Sequence, residues 1–97
     1  MLGRGMALLS DAQIERNLEA SQWRREGQAI VRDVQLADFA ATIELVNRVA
    51  AAAEEANHHP DILVHGWNKL RLTLSTHSQG GLTEADFALA GRLDTLF

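Results

Sequence analysis

The fold is decided by residues 36–60, LADFAATIELVNRVAAAAEEANHHP. Within this stretch Leu36, Phe39, Ala40, Ile43, Val46, Val49, Ala50 and Ala53 recur at the i, i+3, i+4, i+7 spacing that lines one side of an α-helix. Asp38 suits the positive end of that helix's dipole. The alanine-rich residues 50–53 let a flanking sheet or a second subunit approach closely. The helix must stop between Asn57 and Pro60, because proline cannot continue it and drives the preceding His59 towards extended backbone.

Downstream, Ile62-Leu63-Val64-His65-Gly66-Trp67 and residues 69–77 read as two strands meeting near Asn68. In the second, Leu70, Leu72, Leu74 and Thr76 face one way while Lys69, Arg71, Thr73, Ser75 and His77 face the other, the period of a half-buried antiparallel strand. His77 therefore falls on the polar face or its loop end. Gly80-Gly81 breaks the chain, and Thr83-Glu84-Ala85-Asp86 forms an acidic capping box before a helix carrying Phe87, Ala90, Leu93 and Phe97 on one side. Upstream, Ser10 with Gln13 three residues later starts a short helix on which Leu9, Ile14 and Leu18 share a face. That helix ends before Trp23. Glu26-Gly27-Gln28 is then a turn between Trp23-Arg24-Arg25 and the β-branched run Ala29-Ile30-Val31-Arg32-Asp33-Val34, which predicts a hairpin.

The predicted order is α-β-β-α-β-β-α, a two-layer α+β fold with helices covering one face of a four-stranded antiparallel sheet and the other face and edges open. Residues 1–97 are read as one domain, in keeping with their number and 46% hydrophobic content, with 1–9 a candidate disordered extension. Thirteen acidic against nine basic residues give a net charge of −4, no footprint for gripping a nucleic-acid backbone. Without cysteine there is no disulfide, thiolate metal site or thiol nucleophile, which fits a reducing cytoplasmic compartment. The opening Met1-Leu2-Gly3-Arg4-Gly5-Met6-Ala7-Leu8-Leu9 is too short an apolar stretch for a signal or a membrane span. A soluble cytoplasmic protein is expected.

Three of the four histidines fall where the chain turns: His58 and His59 after the long helix, His77 at the end of the last strand. Imidazole is the side chain best suited to proton transfer near neutral pH, so a donor and an acceptor can sit together if the helix end and strand end converge. Adjacent histidines before a proline can instead cap a helix by donating to its last carbonyls. A zinc site is a weaker option, because neighbouring side chains on an extended pair point apart and no His-x-x-x-His is present. Gly80-Gly81 lacks the spacing and lysine of a phosphate loop, and no Gly-x-Ser-x-Gly elbow occurs. Trp23, Trp67 and the interior phenylalanines are core by default, though Trp23 at a strand edge can equally stack on a flat heterocycle. His65 reads as a surface position.

Glu54-Glu55-Ala56-Asn57-His58-His59-Pro60-Asp61, then Trp67-Asn68-Lys69, Leu72-Thr73-Leu74-Ser75-Thr76-His77, Gly81-Leu82-Thr83 and Asp86 together resemble the pterin-4a-carbinolamine dehydratase family. Looser similarity reaches back through Phe39 to Trp23. The resemblance implies the α+β topology read above, and dehydration of 4a-hydroxytetrahydropterin to quinonoid dihydropterin and water without metal or cofactor. It implies that His58 and His77 are the principal acid/base residues, with His59 also counted as catalytic and helping to bind the pterin. Pro60, Thr76, Ser78 and Gln79 would lie in the two segments around the substrate, with Trp23 a further candidate contact. Asn57 stands where several relatives place an acid. The resemblance also implies homodimers or homotetramers and a functional link to phenylalanine hydroxylase. Two other roles fit such a chain: a dimerisation or binding module, as in animal relatives that stabilise a transcription factor's dimer, and a pterin-binding protein of molybdopterin metabolism.

Overall fold

The computed structural model describes residues 7–97. The chain runs α1 (Asp11–Leu18), β1 (Arg24–Glu26), β2 (Ala29–Gln35), α2 (Phe39–Ala56), β3 (Asp61–His65), β4 (Lys69–Leu74) and α3 (Glu84–Asp94), with a 3-10 turn over His77–Gln79 before α3. This is the expected α+β fold in the expected order. Both capping boxes form: the Ser10 and Thr83 side chains accept from the backbone of the first turn while Gln13 and Asp86 reach back to the cap residue's N–H.

One antiparallel sheet has the order β1-β2-β4-β3. Its centre is β4, whose Leu70, Leu72 and Leu74 are fully buried. Period two sends these leucines to one side, where Ile30 of β2 lies opposite Leu74 and Val64 of β3 opposite Leu70. On that side they join Ile14 of α1, Leu45, Val49 and Ala52 of α2, and Leu89 and Leu93 of α3 in one apolar cluster. Each such leucine stabilises the fold by about 1.5–3 kcal/mol relative to an exposed one. The other face is largely polar, with Val31 and Leu63 its apolar members. There Arg71 bonds Asp33 at 2.8 Å and Arg24 reaches the same carboxyl at 3.0 Å. The hydrogen bond from Arg71, aided by Arg24 and opposed by slight burial, holds the Asp33 carboxyl below its usual range.

The long helix forms as expected but rotates. Its buried residues are Thr42, Leu45, Val49, Ala52 and Ala53, whereas Phe39 and Ile43 are 54% and 37% exposed. Opposite the polar side formed by Glu44, Asn47, Arg48, Glu54 and Glu55, the apolar arc is wide enough to admit two stripes of the same spacing about 100° apart, so spacing alone does not choose between them. Thr42 can go inside because its hydroxyl donates to the Asp38 carbonyl at 2.8 Å. Asp38 itself is the N-cap, accepting from the Ala41 N–H.

The strand ends also differ. β3 stops at His65, and Trp67, core by default from its hydrophobicity, instead sits in the β3–β4 turn with φ 58° and 62% exposed. β4 stops at Leu74, because the chain then bends into the 3-10 turn, which Gly80 closes with φ 72°. Of the expected extension over residues 1–9, residues 1–6 lie outside the described residues. Leu9 is tied down, its N–H donating to the Leu82 carbonyl at 2.9 Å and its side chain resting on the core. Among the described residues no helix is long and apolar enough to cross a membrane.

Candidate active site

The site begins with how α2 ends. Asn57 takes a left-handed conformation, φ 51° and ψ 41°, which asparagine tolerates better than most residues. Its N–H and that of His58 both turn back to the Ala53 carbonyl, so the helix closes and the chain reverses at once. The two imidazoles then diverge. His58 Nε2 stands 2.6 Å from Asp86 Oδ1 at the start of α3, while His59 Nε2 stands 2.6 Å from Glu54 Oε2 on the last turn of α2. The first contact is enclosed, with side-chain exposures of 14% for His58 and 0% for Asp86. The second is open, at 56% and 77%, and holds the ring only loosely.

Asp86 is the N3 residue of α3's capping box, which fixes where its carboxylate points. Oδ2 accepts from the Thr83 N–H at 2.9 Å and from the Thr76 hydroxyl at 2.8 Å. The Thr76 and Thr83 hydroxyls lie 2.8 Å apart. Because the one hydroxyl proton of Thr76 goes to Asp86, Thr83 donates to Thr76. Among the described residues no buried side-chain polar atom lacks a partner, so this buried acid is fully compensated.

Thr76 also anchors the opposite wall. Its N–H donates to the Gly81 carbonyl at 2.9 Å, closing the loop that carries the 3-10 turn His77–Gln79. The α2 terminus and this loop enclose an open hollow of about 280 Å³ lined by Asn57, His58, His59, Ser75, Thr76, His77 and Ser78. The ring of His77 has no hydrogen-bond partner among the described residues. One imidazole held by a buried carboxylate thus borders the same space as one free to meet a ligand, with hydroxyls between them.

Five residues singled out in the sequence, His58, His59, Thr76, His77 and Ser78, border this hollow. Pro60 and Gln79 belong to the same two segments but not to its lining. Trp23 is elsewhere: it is 4% exposed, its indole N–H donates to Asp94 at 2.8 Å, and it borders a separate hollow with Asn17 and Phe87. Its edge position placed it near open sheet, but the pull of Asp94 and the core turned it inward. Asp86 and Glu54 were not expected as imidazole partners. Both belong to the stretch that carries the family resemblance, and Asp86 also reads as a helix cap, but neither signal names a histidine partner. A larger hollow of about 350 Å³ on the polar sheet face, bordered by Asp33, His65, Lys69 and Arg71, has one imidazole and no enclosed acid/base pair.

Comparison with known proteins places the chain among relatives of one family. Residues 7–96 match the family model described as pterin 4 alpha carbinolamine dehydratase. A Nocardia farcinica protein provisionally named pterin-4-alpha-carbinolamine dehydratase is 52% identical over 92% of this chain and 94% of its own. A solved structure described as a transcriptional coactivator/pterin dehydratase from Brucella melitensis is 28% identical and superposes with a TM-score of 0.86, covering 93% of this chain and 98% of that one. Another, a pterin dehydratase-like protein identified as a RuBisCO assembly factor in the α-carboxysome, is 29% identical with a TM-score of 0.65 over 77% of this chain and 88% of its own. With all but the ends of the chain matched, and the paired histidines and the turn histidine bordering one hollow behind which the capping aspartate holds His58, this chain belongs to the pterin 4 alpha carbinolamine dehydratase family.

Proposed function

We propose that the chain dehydrates a 4a-hydroxytetrahydropterin to quinonoid dihydropterin and water, with His58 and His77 as its acid/base residues and His59 helping to hold the ring. The C4a–O bond breaks, the leaving oxygen gains a proton and a ring nitrogen gives one up, so the step is redox-neutral. Positioned acid and base groups contribute about 10²- to 10⁴-fold, enough for a reaction that already proceeds unaided. The observation carrying this reading is that His58 and His77, from distant segments, border one hollow. Asn57 and Ser78 supply side-chain polar groups suited to a pterin edge, the Ser75 and Thr76 hydroxyls being already donated to Gln28 and Asp86. We place the reaction in cytoplasmic tetrahydropterin recycling, after a hydroxylase such as phenylalanine hydroxylase.

Purified protein mixed with freshly generated 4a-hydroxytetrahydropterin should speed dehydration well beyond buffer, and His77→Ala should lower kcat by about 10²-fold or more. A wild-type rate no faster than buffer overturns the proposal. Tight pterin binding without turnover would point instead to the binding role in molybdopterin metabolism.

A dimerisation or binding role is favoured by a separate observation. Phe39 and Ile43 on α2, Leu63 on the edge strand β3 and Trp67 beside it are all large, apolar and exposed. The Brucella and carboxysome neighbours are described as a coactivator and an assembly factor. These exposed residues support a homodimer or homotetramer of this chain, measurable by light scattering.

A further inference from the structure

We infer that the hollow on the polar face of the sheet is a second ligand site, built around Lys69 to hold the phosphate group of a small phosphate monoester. It lies apart from the histidine hollow, because the chain from Lys69 to Ser75, mostly strand β4, spans about 20 Å.

Lys69 is the single lysine of the chain. Strand register sets it between Gln35 of β2 and His65 of β3, with Arg71 next along β4 on the same face. These four residues border a hollow of about 350 Å³. Neighbouring guanidinium groups on this face are engaged, Arg24 with Glu26 and Asp33, and Arg71 with Asp33. The Lys69 ammonium and the His65 ring have no hydrogen-bond or ion-pair partner among the described residues, although acids outnumber bases in the chain. Asp33 is the one acid among the described residues that border the hollow. The hydrogen bond from Arg71, aided by Arg24, offsets its charge and holds its carboxyl below the usual range. The fixed charge around the hollow is therefore positive, on a protein of net charge −4.

The donors still available select the shape of the ligand. A carboxylate is planar and is best met by the fork of a guanidinium. The Arg71 fork is taken, its Nε and Nη2 lying 2.8 and 3.2 Å from the two Asp33 oxygens. What remains is a set of single donors on separate side chains: the Lys69 ammonium, the His65 ring, the Gln35 amide and Nη1 of Arg71. Converging from three strands, they suit a tetrahedral phosphate, which can accept at each of its oxygens. A volume of about 350 Å³ is at the low end for small-molecule pockets yet more than a bare phosphate fills, so a small organic body accompanies the group.

Glycerol 3-phosphate, inorganic phosphate and acetate, each titrated into the full chain at constant ionic strength and followed by ¹H–¹⁵N NMR, test the site. The monoester should bind saturably with a Kd of about 1 mM or tighter, shifting the amides of Gln35, His65 and Lys69, with inorganic phosphate and acetate weaker. Lys69→Gln should weaken the monoester about tenfold or more. Arg48→Gln removes the same charge from the exposed side of α2 and should leave the affinity within about twofold of wild type. Absence of a saturable shift with either phosphate overturns the inference. So does equal weakening by Lys69→Gln and Arg48→Gln, the mark of diffuse charge attraction. Acetate binding as tightly as the monoester overturns the preference for a tetrahedral group, and equal affinity for the two phosphates overturns the organic body. The wild-type titrations decide the matter even if a variant fails to fold, and no arm reads dehydration, so the outcome is independent of the dehydratase reading.

Discussion

Thr76→Val tests whether core and site share one hydrogen-bond chain. The substitution keeps the shape of a side chain that is 2% exposed and removes only its hydroxyl. Two losses follow. The Asp86 carboxylate loses a charge-assisted bond of 2.8 Å, typically about 1.5–3 kcal/mol. The fully buried Thr83 hydroxyl loses its acceptor, a desolvation cost of about 1–3 kcal/mol, although it still accepts from the Ala85 N–H. The added methyl returns about 0.8 kcal/mol, so the net destabilisation is about 2–5 kcal/mol. For a domain near this size each kcal/mol lowers Tm by about 4–8 °C, so the variant should melt at least ~8 °C lower.

Thr76→Ser is the control, since it retains the hydroxyl and loses a methyl, at about 1 kcal/mol. Urea unfolding followed by the fluorescence of buried Trp23 gives both values, at several protein concentrations so that self-association is separated from folding. If the Thr76→Val and Thr76→Ser variants unfold within about 0.5 kcal/mol of each other, the hydroxyl is not holding Asp86 and the chain of bonds from α3 to the His77 turn has no energetic meaning.

Trp23→Phe removes the indole donor to Asp94, which keeps Arg32 at 2.6 Å, so stability should drop by about 1–2 kcal/mol while dehydration kinetics stay at wild type. A marked rise in KM would return Trp23 to the pterin site. Asp33 has a folded pKa below its unfolded value, so the stability it contributes is present above the ordinary carboxylate range and is lost as pH falls through the lowered folded value. Arg71→Gln should therefore flatten the acid limb of a plot of urea midpoint against pH, modestly and less so in high salt because the pair is half exposed. An unchanged acid limb would refute the pairing.

What the sequence disclosed depended on how local each signal was. Ser10 with Gln13 and Thr83 with Asp86 mark helix starts over three residues, and both helices begin there. The alternation of Leu70, Leu72 and Leu74 needs only the pleat of one strand, and those leucines form the buried centre of the sheet. The inward face of α2 was not legible, because Phe39 and Ile43 satisfy the helical period as well as Leu45 does, and only the position of the sheet decides between them. Trp67 illustrates the same limit: hydrophobicity assigns it to the core, but the Gly66-Trp67 reversal at the hairpin tip turns it outward.

The site divides along the same line. That His58 and His77 border one hollow was open to inference, since each ends an element and a helical layer on a sheet brings such ends together. The role of Asp86 was not, because one carboxylate performs a local task with one oxygen and a long-range task with the other. Oδ2 closes the capping box that starts α3, and this aims Oδ1 at the His58 ring. The helix start is therefore a determinant of imidazole chemistry. Its effect cannot be tuned by altering the histidine alone, since truncating His58 would leave a buried carboxylate oxygen without its donor and cost stability as well as turnover.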